Sequence, residues 1–356
     1  MKVLMLGEGL ARRGGIVSVQ QLILEQTDPS VEIEHIATLV DGSPLDKIRA
    51  FLKALLNLSR ELLFGSVDLV HIHVSERGSA FRQAITTLIS KLFGKPVVMH
   101  THGSEFHEFY SHLPAFVKAA LSWVYRKCDR FIVLSESWKE FYIDALKLRQ
   151  ERVTVLPNAV KIPDQIPQRG QTESSQILFV FFGRIGHRKG AFDLVKALSL
   201  LPREYHSQVR LVMAGDGELE RLEELVQDFE LQDVVSIMSW ISPAQREALS
   251  REASVFILPS YNEGLPMALL EAMSWGLAVI TTPVGGIPSV IQHKRNGLLV
   301  DPGDAYQIAD SIKLLIDDCN LRHELGRAAY TSVLPFGSNK YWQSLTHVYT
   351  STLFES

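Results

Sequence analysis

Short apolar runs, each too brief for a helix, recur between amphipathic stretches along the whole chain, and this alternation limits the fold more than any other property of the sequence. Val3–Leu6, Leu69–Ile72, Val97–His100, Phe131–Leu134 and Val153–Leu156 form a first series. Ile177–Phe182, Val209–Ala214, Val234–Met238, Val255–Leu258 and Ala278–Thr281 form a second. Such runs read as strands buried on both faces, and their alternation with helical patterns gives parallel sheets of βαβ units. Between the two series, Pro157, Pro163, Pro167 and the polar tract Gln171–Gln176 break the pattern as a linker would. The chain therefore reads as α/β, with two similar halves joined near residue 165. Its 356 residues exceed one ordinary core, in keeping with two domains. We place an N-terminal domain at 1–163, a second at 164–335 and a C-terminal helix at 336–356. In that last segment Tyr341, Trp342, Tyr349 and Phe354 recur at roughly helical spacing, which suits a helix docked on the fold.

The composition is that of a globular protein, with 46% hydrophobic and 21% charged residues and a net charge of -4. Nothing in it points to nucleic acid. Residues 1–160 carry 19 Lys and Arg against 17 Asp and Glu, and the remainder 17 against 23, so the halves stand at +2 and -6. Cys128 and Cys319 lie far apart without metal-ligand spacing and read as reduced thiols. The opening Met1–Leu6 is too short for a signal peptide, and no stretch reaches the roughly 18 apolar residues of a spanning helix. A cytoplasmic protein, at most peripheral on the inner face of the cytoplasmic membrane, is expected.

Ligands of open parallel sheets sit beyond the carboxyl ends of the strands, so the loops after the apolar runs are where chemistry is sought. After the first run comes Gly7-Glu-Gly9-Leu-Ala-Arg12, whose Arg12 occupies the third glycine position of a dinucleotide fingerprint and argues against that motif. Gly14-Gly15, opening a helical stretch, suits the close approach of backbone amides to a phosphate, with a plain turn as the alternative. His71, His73, His100 and His102 form two i, i+2 pairs. Without an Asp or Cys at ligand spacing a metal is not expected. His102, last before the turn His102-Gly103-Ser-Glu105, is the candidate to meet a polar ligand, and the other three read as structural. In Gly183-Arg184-Ile-Gly-His-Arg-Lys189-Gly190, Arg offers a bidentate fork and Lys a point charge for a diphosphate, although a basic loop taken alone reads as a solvated surface. Asp216, in Gly215-Asp-Gly217-Glu218, reads as a helix cap rather than a metal ligand. In Pro259-Ser-Tyr-Asn-Glu263-Gly-Leu-Pro-Met-Ala-Leu-Leu-Glu271 two carboxylates stand eight positions apart at a helix start. One falls at the helix mouth and one on its side, where an anionic ligand is attracted to the N-terminus.

Together, Gly14-Gly15, His102-Gly103, Pro157-Asn-Ala-Val160, Gly183-Arg184 with Lys189-Gly190, Gly215-Asp-Gly217, the Glu263 to Glu271 segment and Asp301-Pro-Gly-Asp304 resemble glycosyltransferase family 4, in order over nearly the whole chain. The resemblance implies the GT-B fold: two Rossmann-like domains with parallel sheets facing across a cleft, and a C-terminal helix crossing back to the first. It implies a retaining, metal-independent transferase with no cofactor, whose donor is a UDP-sugar or, in the alternative, a GDP-sugar. Arg184 and Lys189 would hold the diphosphate, Glu271 the ribose hydroxyls, and Trp240 and Ile241 would lie near the base. Glu263 and the amides of Gly264, Leu265 and Pro266 would hold the sugar and phosphate end. His102 would reach the sugar or leaving phosphate, Gly14 and Gly15 would complete the phosphate cradle, and Glu105 would stand on the acceptor side. Ala159, and Ser239-Trp240 near the base, depart from the family pattern.

A glycan or lipid-linked acceptor is expected. Lys47, Arg49, Lys53 and Arg60 lie among leucines in Leu45–Phe64, and Lys118, Arg126 and Lys127 beside Phe116, Trp123 and Tyr125, which suits peripheral membrane contact. The competing reading is a helix with an ordinary charged outer face. Other functions consistent with the motifs are a silent sugar-nucleotide-binding subunit that regulates a partner transferase and a sugar-nucleotide epimerase.

Overall fold

The computed structural model describes residues 1–167 and 176–355, so most of the polar tract of the expected linker lies outside the described residues. The chain divides into two compact units, Met1–Ala159 with the chain from Ser338 onward, and Val160–Gly337.

The first unit is built on six parallel strands: β1 (Lys2–Glu8), β2 (Glu32–Leu39), β3 (Leu69–Val74), β4 (Val97–Thr101), β5 (Arg130–Val133) and β6 (Val153–Val155), in the order β2-β1-β3-β4-β5-β6. The second holds β7 (Ile177–Phe182), β8 (Val209–Ala214), β9 (Val235–Met238), β10 (Val255–Leu258), β11 (Ala278–Thr281) and β12 (Leu298–Leu299), also parallel, in the order β12-β11-β10-β7-β8-β9. Interior strands are covered on both faces, and all six residues of β3 are buried. Two strands go beyond the sequence expectation. Edge strand β2, Glu-Ile-Glu-His-Ile-Ala-Thr-Leu, mixes polar residues into its run because much of it is incompletely covered. β12 has only two residues.

The helix Ser338–Glu355 belongs to the first unit. Tyr341, Trp342, Leu345, Val348, Tyr349 and Thr352 are buried along one stripe of it. Trp342 Nε1 donates to Asp28 Oδ2 at 3.1 Å, and Tyr349 meets His71 of β3, with its hydroxyl 2.7 Å from Nδ1.

The helix Pro44–Phe64 opens with a capping box between Ser43 and Asp46 and buries Ala54, Leu58 and Leu62. Its outer face is not the ordinary charged one: Leu45, Ile48, Leu52, Leu56 and Leu63 are each more than half exposed. Neighbouring helices add exposed apolar groups, Leu92 at the end of Gly78–Leu92, and Phe116 and Trp123 on Ala115–Tyr125. Among the described residues no helix is long and apolar enough to cross a membrane.

Candidate active site

The second sheet starts at β7, grows outward through β8 and β9, then returns to the other side of β7 with β10 to β12. Such a reversal opens a crevice beyond the carboxyl ends of its two central strands. The loops that follow β7 and β10 hold Arg184, Lys189 and Glu263. Lys189 ends the short turn His187–Lys189, and its Nζ stands 2.5 Å from Glu263 Oε1. The same oxygen accepts a hydrogen bond from Ser260 Oγ at 2.7 Å. Glu263 is 4% exposed, so a carboxylate here needs its cation. Burial lowers the pKa of the Lys189 ammonium from its ordinary value, and Glu263 opposes that shift.

Hydrogen bonds to backbone carbonyls hold these loops together. Tyr261 N donates to Arg188 O at 2.8 Å, and Arg188 Nη1 to Asn262 O at 3.1 Å. Gly190 has φ +66°, and a Cβ there would lie 2.1 Å from Pro259 O. Gly285 has φ +57°, and a Cβ would lie 1.7 Å from Glu263 O. Only glycine satisfies both the left-handed backbone and that approach. Arg184 is exposed at the start of the same loop as Lys189.

Glu271 lies on the helix Met267–Ser274, whose N-cap is Pro266, so Glu263 stands in the loop ahead of the helix and not on it. The carboxylate spacing therefore spans a loop and one helical turn, with Glu263 ahead of the helix and Glu271 on its side. Glu271 Oε2 pairs with Arg246 Nη1 at 2.8 Å. The Arg246 guanidinium lies 5.6 Å from the ring centres of both Trp240 and Phe182. Ile241, beside half-buried Trp240, is 5% exposed. Gly264, Leu265 and Pro266 are buried, and Gly264 O accepts from Gly286 N at 2.6 Å. Asp216 does not cap the following helix: Leu219–Asp228 has Glu218 as its N-cap, with no side-chain cap, and Asp216 O accepts from Ile185 N at 2.6 Å. Arg246, Ser260 and Gly285 were not read from the sequence.

In the first unit, Gly14 has φ +140° and is the N-cap of the helix Gly15–Leu24. The first amides of a helix have no partner within it and are free to meet an anion. The preceding loop is tied by Arg12, which pairs with Glu8 at 2.5 Å and Asp41 at 2.8 Å. Glu105 leads into the short helix Phe106–Ser111, with its carboxylate 3.4 Å from Arg77.

His102 follows β4 and is half-buried, while His71, His73 and His100 are buried. His71 Nε2 is 3.3 Å from His100 Nδ1, and His73 Nδ1 is 2.8 Å from His102 Nε2. Burial brings His71 and His102 down to about 3 and holds His73 and His100 well below the ordinary value, so all four rings are neutral at pH 7. His71, His73 and His100 form the single group of three potential metal ligands among the described residues, with nitrogens within 4.8 Å. Nitrogens of His71 and His100 face each other, and one of His73 faces His102.

Residues 3–162 match the sequence profile described as Glycosyltransferase Family 4, and residues 164–332 that described as Glycosyl transferases group 1. The D-inositol 3-phosphate glycosyltransferase of Pseudarthrobacter chlorophenolicus is 28% identical over 88% of this chain and 78% of its own. The UDP-Gal:alpha-D-GlcNAc-diphosphoundecaprenol alpha-1,3-galactosyltransferase of Escherichia coli is 26% identical over 83% and 78%. Among solved structures, Anabaena HepE in complex with UDP and glucose superposes with a TM-score of 0.77 at 17% identity, over 99% of this chain and 100% of its own, which shows the GT-B fold. With both halves matched in order by these profiles, the chain belongs to the family 4, group 1 glycosyltransferases.

Proposed function

We propose that this protein is a retaining, metal-independent glycosyltransferase, working without a resident cofactor, that moves a sugar from a UDP-sugar, or alternatively a GDP-sugar, onto a hydroxyl of a glycan or lipid-linked acceptor. The observation that carries the reading is the Lys189–Glu263 pair at the reversal point of the second sheet, followed one loop and turn later by Glu271 with Arg246 and Trp240. The curated Escherichia coli relative is named for a UDP-linked donor and a lipid-diphosphate acceptor, which agrees with it.

In this reading the diphosphate lies against Arg184 and Lys189, the ribose hydroxyls donate to Glu271, and the base stands by Trp240 and Ile241. Glu263 and the amides from Gly264 to Pro266 hold the sugar and its phosphate. His102, Gly14 and Gly15 serve the reacting sugar and phosphate, and Glu105 serves the acceptor. As the bond from the anomeric carbon to the diphosphate oxygen breaks, charge collects on that oxygen. Fixed cations and helix amides stabilise it without a divalent ion. The acceptor hydroxyl attacks from the same face and passes its proton to the departing phosphate, which retains the anomeric configuration. Glu263, whose Oε1 is held by both Lys189 and Ser260, is suited to orient and not to attack.

Exposed leucines on Pro44–Phe64, beside Lys47, Arg49, Lys53 and Arg60, are assigned to peripheral contact with an anionic membrane that presents the acceptor.

The test is nucleotide release from UDP- and GDP-sugars with EDTA present. Release that needs an acceptor and drops at least about a hundredfold, roughly the loss of one good electrostatic contact, in Glu263→Gln and Lys189→Met is expected. Release unchanged in both variants, or donor consumed with no acceptor, would sink the assignment. Co-sedimentation with phosphatidylglycerol vesicles at low salt, weakened in Leu52→Glu/Leu56→Glu, checks the membrane part. No sedimentation of the wild type would reject it.

A further inference from the structure

Parallel pairing of β3 and β4 sets His73 beside His100, and the alternation of side chains along each strand turns His71, His73, His100 and His102 to one face of the sheet. The four rings form two pairs. His73 and His102 have ring planes 13° apart and centres 5.1 Å apart, about two ring radii more than the 2.8 Å between Nδ1 and Nε2. These rings therefore meet edge to edge, in the geometry of an N–H···N hydrogen bond. His71 and His100 do the same less tightly, at 3.3 Å with planes 9° apart. The pairs pack against each other with planes tilted by 36°, with centres 4.4 Å apart for His71 and His73 and 4.2 Å for His100 and His102.

A neutral imidazole carries one proton, and the bond made by one nitrogen decides what the other can do. The direction of the bond between His73 and His102 follows from the remaining nitrogen of His73. Its Nε2 is buried without a hydrogen-bond partner. Were His73 the acceptor, that nitrogen would carry an unmatched N–H, which buried structure tolerates less well than an unmatched lone pair. His73 is therefore the donor through Nδ1, and Nε2 of His102 the acceptor.

We propose that His73 is a positioning residue for the transfer reaction: its Nδ1–H, donated to Nε2 of His102, fixes His102 as the Nδ1–H tautomer. His102 then meets its ligand as a neutral hydrogen-bond donor at Nδ1, fit for an oxygen of the sugar or the leaving phosphate, and has no lone pair left to act as a base. This rests on the reading that His102 serves the reaction. The pair of His71 and His100, latched by Tyr349, packs against the His73 ring without bonding to His102.

The tautomer can be seen directly in the full-length protein by long-range proton–nitrogen correlation with nitrogen-15 histidine. In the wild type His102 is expected with its proton on Nδ1 and a bare Nε2. His73→Phe removes the donor, and should give His102 mixed tautomers and a kcat lower by about tenfold or more, the factor for roughly one hydrogen bond of transition-state interaction, with the KM for UDP-sugar within about twofold. His73→Asn, whose side-chain amide lies where Nδ1 was, should restore much of both. His100→Phe disturbs the same stack and should leave the tautomer in place. A proton found on Nε2 of His102, a tautomer unmoved in His73→Phe, or a kcat loss no larger than that of His100→Phe at matched stability would each overturn the proposal. Absence of sugar transfer by the wild type would instead strike the functional reading, because the tautomer assignment is read without turnover.

Discussion

Lys189 and Glu263 form an ion pair with side chains only 14% and 5% exposed. A buried pair gains little over a neutral replacement, while removing one partner costs about 3–5 kcal/mol because the other charge is left in a poor solvent. Lys189→Met should therefore lower urea stability by an amount of that order, and Lys189→Met/Glu263→Gln should recover a large part of it while recovering no transferase activity. A double variant no more stable than Lys189→Met would show that the pair is not coupled. Lys189 and Glu263 were legible in the sequence because each stands beside a glycine turn directly after an apolar run. Arg246 and Ser260 were not, since their importance lies in the carboxylate each meets, Glu271 at 25 residues from Arg246 and Glu263 at three from Ser260. His73 was read as merely structural for the same reason: its spacing from His71 shows a shared face but not the ring of His102 opposite.

At the scale of the element, the helix Ser338–Glu355 is fastened to the first sheet by apolar burial and by the bond between Tyr349 and His71. Tyr349→Phe keeps the burial and leaves Nδ1 of His71 without a partner, which costs about 1–3 kcal/mol. The shift in urea midpoint measures it, and an unchanged midpoint would contradict the bond. The helix also covers a group with a defined pH response. His71 has a folded-state pKa of about 3 against an ordinary 6.5, so between these values the unfolded chain binds the proton and the folded one does not. Its contribution is fully present above pH 6.5 and is lost as the pH falls toward 3. His71→Phe should make the decline in Tm over that window shallower than in the wild type, and a parallel decline would refute the assignment. The interior strands were legible because double-sided burial writes a continuous apolar run. β2 was not, because an edge strand keeps polar residues, and the misread cap at Asp216 shows how little a single acid before a helix fixes its start.

At the scale of the molecule, each unit has its own sheet and core, so the nucleotide's main contacts can be traced to one of them. UDP at about 100 times its Kd stabilises the folded state that binds it by roughly 2.7 kcal/mol. Hydrogen exchange with UDP should show slower exchange centred on the loops after β7 and β10, within Val160–Gly337. Protection confined to Met1–Ala159 would move the nucleotide site to the other unit. The first unit also has a consequence for biosynthesis, because it is assembled from two stretches of chain separated by the whole of the second. On the ribosome, the sheet bearing His71 and His73 emerges early, yet its covering helix is made only after Val160–Gly337 has been synthesised. The second unit can close while the first is still waiting, with an apolar, imidazole-lined face open to solvent and to chaperones. A chain stopped before Ser338 would keep that face open, and would be cleared as an unfinished product however well its second unit had folded.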